Sequence, residues 1–88
     1  MIKNFNKMDE KFQKALEDVK STNPSQQEKL KLYGLYKQIN FGDNNESRPW
    51  SYQVEKSYKW QAWKENQGMS KERAMELYVE LVEKIKLK

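Results

Sequence analysis

The chain contains no cysteine and no histidine. Without cysteine there can be no disulfide and no thiolate metal site. Without histidine the commonest general base, the commonest metal ligand and the neutral-pH switch are missing too. An enzyme made of these residues would have to work with carboxylates or lysine, and no carboxylate pair stands out at a telling spacing. Neither catalysis nor a metal or other cofactor is expected. Long apolar runs are also missing. The start, MIKNFNKMDEKF, holds no stretch resembling the core of a secretory signal, and nowhere is there an apolar run of about 18 residues. A cytoplasmic protein without stable membrane insertion is the expectation.

What remains is one small domain over residues 1–88, with no internal repeat and no low-complexity tract. Charged residues make up 34% and apolar ones 36%, so the core must be thin and assembled from amphipathic elements that each give one stripe. The net charge of +4 is a weak pointer to an anionic partner. A basic module for nucleic acid or a partner protein is one alternative. Against nucleic acid, the 17 basic residues are interspersed with 13 acidic ones, and only Arg48 and Arg73 are arginines. Base readout favours arginine, and no dense basic stripe exists.

Period and punctuation predict four helices. Met8, Phe12, Ala15, Leu16 and Val19 form one stripe of a first helix, with Asn6 as N-cap and Asp9 in its first turn. It ends near Ser21-Thr22-Asn23-Pro24, since proline disfavours helix in the residue before it. Ser25-Gln26-Gln27-Glu28 is a capping box opening a second helix, which runs to Phe41 and stops at Gly42. A third spans about Tyr52 to Gln67 and closes at Gly68. A fourth starts after Ser70, with the stripe Ala74, Leu77, Tyr78, Leu81, Val82, Ile85. The connections at Thr22–Pro24 and Gly68–Met69 are short and suit antiparallel neighbours. The polar segment GDNNESRPW is long enough to cross the end of a bundle and let helices two and three run parallel. The expectation is an all-α, up-down-down-up four-helix bundle.

On a wheel of about 100° per residue, Leu32, Leu35, Tyr36 and Ile39 share an arc of about 100°, which predicts Tyr36 in the core. Leu30, Tyr33 and Lys37 group on a second arc, about 130° away. This strip has two readings: an apolar surface, a phenol and a cation for a ligand, or a core-edge tyrosine beside a solvated lysine. Spacing alone favours the second. KSYKWQAWKEN raises the same choice, with Trp60 and Trp63 flanked by Lys56 and Lys59. Several such pairings on separate helices suit a ligand that is both nucleobase and polyanion, since aromatic planes stack on bases while lysines meet phosphates.

The blocks YGLYKQ, GD, RP, KWQAW and GMSKERAMELY, in that order and spacing, resemble the acyl-CoA-binding protein family, small carriers of fatty acyl-CoA esters. The resemblance runs from Phe12 to the C-terminus. It implies a monomeric, cytoplasmic, non-catalytic carrier of medium- to long-chain acyl-CoA. By position, Tyr33 and Lys37 match the tyrosine and lysine at the adenine and 3′-phosphate. Lys59 matches a second phosphate-binding lysine, and Tyr78 the tyrosine of the fourth helix in the site. Phe12 and Lys20 match positions near the start and end of the first helix. Leu30 keeps an apolar position of the acyl groove, and Tyr36 falls in the binding segment. Three positions depart from the family pattern: Trp50 stands where glycine is usual, Glu55 where lysine is usual, and Lys29 where an apolar groove residue is common.

Overall fold

The computed structural model describes residues 6–88, so the first five residues, predicted to be part of the same domain, lie outside the described residues. Helix α1, Lys7–Asp18, starts where both sides of its cap are satisfied. The Asp9 N–H donates to Asn6 Oδ1 (2.8 Å), and the Asn6 N–H donates to Asp9 Oδ2 (3.3 Å). A 3₁₀ turn over Val19–Ser21 follows, closed by Thr22 Oγ1 donating to the Val19 carbonyl (2.7 Å). Helix α2, Gln26–Phe41, opens with the same reciprocal cap between Ser25 and Glu28. It stops at Gly42, whose φ of 77° is a left-handed conformation that glycine adopts without a Cβ penalty. Helix α4, Lys71–Lys86, is capped by Ser70 Oγ, which accepts from the Arg73 N–H (3.1 Å).

Helix α3, Val54–Lys64, is shorter at both ends than the span Tyr52 to Gln67 that the sequence predicts. At its start, Trp50 and Gln53 are committed to a turn, the Gln53 N–H donating to the Trp50 carbonyl (2.9 Å) and the Trp50 N–H to Gln53 Oε1 (3.1 Å). At its end the chain tightens, with Asn66 N–H bonded to the Trp63 carbonyl and Gln67 N–H to the Lys64 carbonyl, both at 3.1 Å.

Cross-links fix the directions. Trp63 Nε1 donates to the Gly42 carbonyl (2.8 Å) and Asn44 Nδ2 to the Trp60 carbonyl (3.0 Å), so the C-terminal ends of α2 and α3 lie side by side and the two helices run parallel. Gln38 Nε2 donates to the Met69 carbonyl (3.0 Å), and Lys88 pairs with Glu28 (2.6 Å), so α4 runs antiparallel to α2. Phe12 stacks edge-on against Tyr78 and Lys86 pairs with Asp18 (3.0 Å), so α1 runs with α4. The result is the up-down-down-up bundle.

The core cluster comes from three helices: Phe12 and Ala15 of α1, Leu32, Leu35 and Ile39 of α2, and Ala74, Met75, Tyr78, Val82 and Ile85 of α4. Helix α3 packs on α2 and not on α4, while α1 packs on α4 and not on α2. The helices therefore form a row, α1–α4–α2–α3. That order leaves one side of α2 open toward α1 and opens a groove between α3 and α4. The α2–α3 contact is close because Gly34 lies against the Ala62 backbone, where a methyl group would collide with the Ala62 carbonyl. Gly34→Ala gains about 1 kcal/mol of helix propensity. It also forces α3 away, and overpacking costs about 1–3 kcal/mol. The expected result is a lower urea midpoint than the parent; a higher one would show that α3 yields freely.

Candidate functional site

The scaffold of the site is polar. Gln38, 2% exposed, donates from Nε2 to Asp43 Oδ1 (2.9 Å) as well as to the Met69 carbonyl, and the same Asp43 oxygen accepts the Gly68 N–H (2.8 Å). One carboxylate thus ties the end of α2 to the α3–α4 connection. The Gly68 N–H, and after it the Gln38 amide, holds the Asp43 carboxyl below its ordinary range. Asp18 is lowered by Lys14 and then Lys86, and Glu28 by Lys88 and then the Ser25 N–H. A carboxylate with a depressed folded-state pKa contributes stability above its unfolded pKa and loses it as pH falls through the folded value. Stability is therefore expected to hold through neutral pH and to fall below the usual carboxylate range. Acid titration followed by circular dichroism checks this, and Asp43→Asn is expected to flatten the acid dependence.

Against this frame two cations from different helices meet at one ring. Lys59 Nζ of α3 lies 5.5 Å from the Tyr33 ring centroid, and Lys37 Nζ of α2 lies 5.9 Å from it. Lys37 also sits 4.4 Å from the Phe41 centroid and 4.7 Å from that of Trp63, two rings that pack at 6.2 Å. Among the described residues Lys37 makes no ion pair, so aromatic faces support a charge that no carboxylate neutralises. Lys59 touches Glu55 at 3.6 Å, a solvated i,i+4 pair that holds little energy and yields to a stronger anion.

Tyr36 corrects the prediction from the wheel: it is 44% exposed and not part of the core. The arc it occupies would be buried if α1 covered α2, but α1 packs on α4 alone. Its phenol instead stands near that of Tyr78. Tyr78 is buried against Phe12, with ring centroids 5.2 Å apart, and its pKa is raised by burial first and by the Tyr36 phenol second. The predicted residues thus form two groups joined through α2: Tyr33–Lys37–Lys59, and Tyr36–Tyr78–Phe12. Lys20 joins neither by an ion pair or cation–π contact; its ammonium is exposed and paired with Glu17 (3.0 Å). Leu30 is half-buried and lines the groove between α2, α3 and α4, a cleft of about 570 Å³ with Leu35, Ala62, Leu77 and Leu81 as apolar wall and Tyr58 beside them.

Of the two rings that seat Lys37, the sequence left Trp63 open between a core and a ligand role, whereas it did not single out Phe41. Phe41 stands at i+4 from Lys37, a spacing that places the two on one face. Arg48 over the Trp60 ring (4.5 Å), with Lys64 on the same ring (5.8 Å), has no sequence signal because the partners come from loop and helix. Among the described residues no group of three or more acidic side chains is placed to hold a metal ion.

A row of four helices with a cationic–aromatic cluster beside an apolar groove defines a small helical ligand-binding domain. The acyl CoA binding protein family model matches residues 9–82, and the chain belongs to that family. It is 47% identical over 79 residues to an acyl-CoA-binding protein of Dictyostelium discoideum, covering 88% of this chain and 94% of that one. With an acyl-CoA-binding protein of Gossypium hirsutum it shares 44% over 78 residues, covering 86% of this chain and 88% of that one. The crystal structure of Oryza sativa acyl-CoA-binding protein 2 superposes with a TM-score of 0.85 at 38% identity, covering 91% of both chains.

Proposed function

We propose that this chain binds medium- to long-chain fatty acyl-CoA esters non-covalently, one ligand per monomer, and carries them inside the cell without catalysing a reaction. The observation that supports this reading is the meeting of Lys37 and Lys59, from separate helices, at the Tyr33 ring. The ring is a platform for adenine, and the two ammonium groups face the phosphates of a head that bears about four negative charges. Tyr36 and Tyr78 line the open side of α2, with Phe12 behind Tyr78 holding its ring in place. Lys20 meets the ligand only by leaving Glu17, which an exposed pair permits at little cost.

The acyl chain leaves the head over Leu30, between α2 and α3, toward the apolar groove. A volume of about 570 Å³ lies within the usual range of ligand sites. A sixteen-carbon chain brings on the order of 10 kcal/mol of gross burial at about 0.8 kcal/mol per CH₂. Chain and head together therefore explain an ester carrier better than either part alone. Calorimetric titration with palmitoyl-CoA, CoA and palmitate checks the reading. Tight binding of the ester, with much weaker binding of both fragments, is the expected outcome. Comparable weak affinity for ester and free acid would overturn it.

A further inference from the structure

Among the described residues, Tyr36, Phe41 and Leu87 are large apolar side chains left in water at separate places, and the other four such side chains gather in one segment. Trp50 is 71% exposed, Tyr52 78%, Val54 57% and Tyr58 61%, and all four fall within residues 50–58. A chain with so few apolar residues gains nothing for its core by holding them outside. Trp50, moreover, occupies the position where glycine is usual in the resembled family.

The exposure is built rather than loose. The Trp50 N–H donates to Gln53 Oε1 (3.1 Å), while its carbonyl accepts from the Gln53 N–H (2.9 Å) and from Ser57 Oγ (3.5 Å). Behind this turn, Trp60 Nε1 donates to the Glu46 carbonyl (2.8 Å) and Asn44 Nδ2 donates to the Trp60 carbonyl (3.0 Å), which anchors the base of the loop. Val54 and Tyr58, at i and i+4, share a face of α3. The backbone is therefore set before any partner arrives, which lowers the ordering cost of docking.

Charge favours an anionic surface. Arg48 rests on the Trp60 ring, Lys56 is exposed in the first turn of α3 on the side of Trp60, and neither is in an ion pair among the described residues. Glu55 is matched by Lys59, and the whole chain carries +4. Tryptophan and tyrosine flanked by arginine and lysine are the side chains that settle at the water–lipid boundary. A protein hot spot would instead sit within a broad patch burying about 800 Å² per partner. Here a loop and the first half of a short helix present a few rings, a shape that a fluid headgroup layer can envelop.

We propose that residues 48–58 dock this protein peripherally on phospholipid bilayers containing anionic lipid, with Trp50 and Tyr52 at headgroup depth. Tyr58 also lines the groove, and Lys59 belongs to the cationic cluster, so the docked face adjoins the seat proposed for the ligand. Loading of cargo from the bilayer rests on the acyl-CoA reading; docking itself does not.

The full chain, mixed with vesicles of phosphatidylcholine and phosphatidylserine or of phosphatidylcholine alone, tests the proposal by co-sedimentation and by quenching of tryptophan fluorescence with lipids brominated on the acyl chain. Binding to the anionic vesicles with quenching is expected, and weaker binding to the neutral ones. The Trp50→Ala/Tyr52→Ala variant, altered only at exposed rings, is expected to lose about tenfold or more in vesicle partition, because those rings supply most of the inserted apolar area. Its circular dichroism and its affinity for palmitoyl-CoA in solution are expected to stay as in the parent. Failure of the parent to bind anionic vesicles overturns the proposal and leaves the patch to a protein partner. Equal partition of parent and variant overturns it as well. Vesicle binding alongside a failed acyl-CoA titration would remove the cargo reading and leave docking in place.

Discussion

Replacing Lys37 by alanine lowers affinity for long-chain acyl-CoA by about 10- to 150-fold, the equivalent of one charge-assisted contact of about 1.5–3 kcal/mol. The size follows from its surroundings. The Lys37 ammonium is half-buried, lies on Phe41 and Trp63, and has no carboxylate among the described residues to compete with a phosphate. Stability should hardly change, because what the fold loses is a set of cation–π contacts worth about 0.5–1 kcal/mol at a partly solvated site. Calorimetric titration beside a thermal melt separates the two quantities. A variant that unfolds while keeping its affinity would show that Lys37 serves packing and not the phosphates. Lys59→Ala is expected to cost less, since Lys59 is more exposed and already shares its charge with Glu55. The double variant should fall short of the sum, because both cations act on a ligand at the same Tyr33 ring.

The helix starts were legible because they are local. Asn6 with Asp9, Ser25 with Glu28, and Ser70 each close their own caps within three residues. Topology was legible through the long GDNNESRPW connection. The limits of α3 were not, because they depend on bonds within a turn at Trp50 and Gln53 and on the tightened backbone after Lys64. Tyr36 shows the limit of a helical wheel: the wheel reports which residues share an arc, but whether a neighbour covers that arc depends on α1 packing against α4 alone. Gly34 carried no visible signal, since its partner, the Ala62 backbone, lies in another helix. The meeting of Lys37 with Lys59 came only from the resemblance of ordered motifs, because no spacing within one helix relates them.

Trp63→Ala is expected to cost about 3–5 kcal/mol of stability, the usual loss for truncating a buried tryptophan. The parent has on the order of 5–15 kcal/mol to lose, so urea unfolding would detect the change easily. Trp63, 4% exposed, is the buried side chain of α3; it packs on Phe41 and donates to the Gly42 carbonyl. Because α3 packs on α2 and not on α4, nothing from the main core replaces that anchor. Amide exchange should therefore accelerate in α3 while the α1 and α4 amides lose less protection. Trp63→Phe keeps most of the ring volume and loses one hydrogen bond, so a cost nearer 1 kcal/mol is expected. Lys59 is carried by α3, and Lys37 loses one of its aromatic supports, so Trp63→Ala should weaken acyl-CoA binding together with stability, whereas Lys37→Ala weakens binding alone. If Trp63→Ala left both α3 protection and affinity near the parent values, α3 would be held by the Gly34–Ala62 contact, and the cationic cluster would not depend on the indole beneath it.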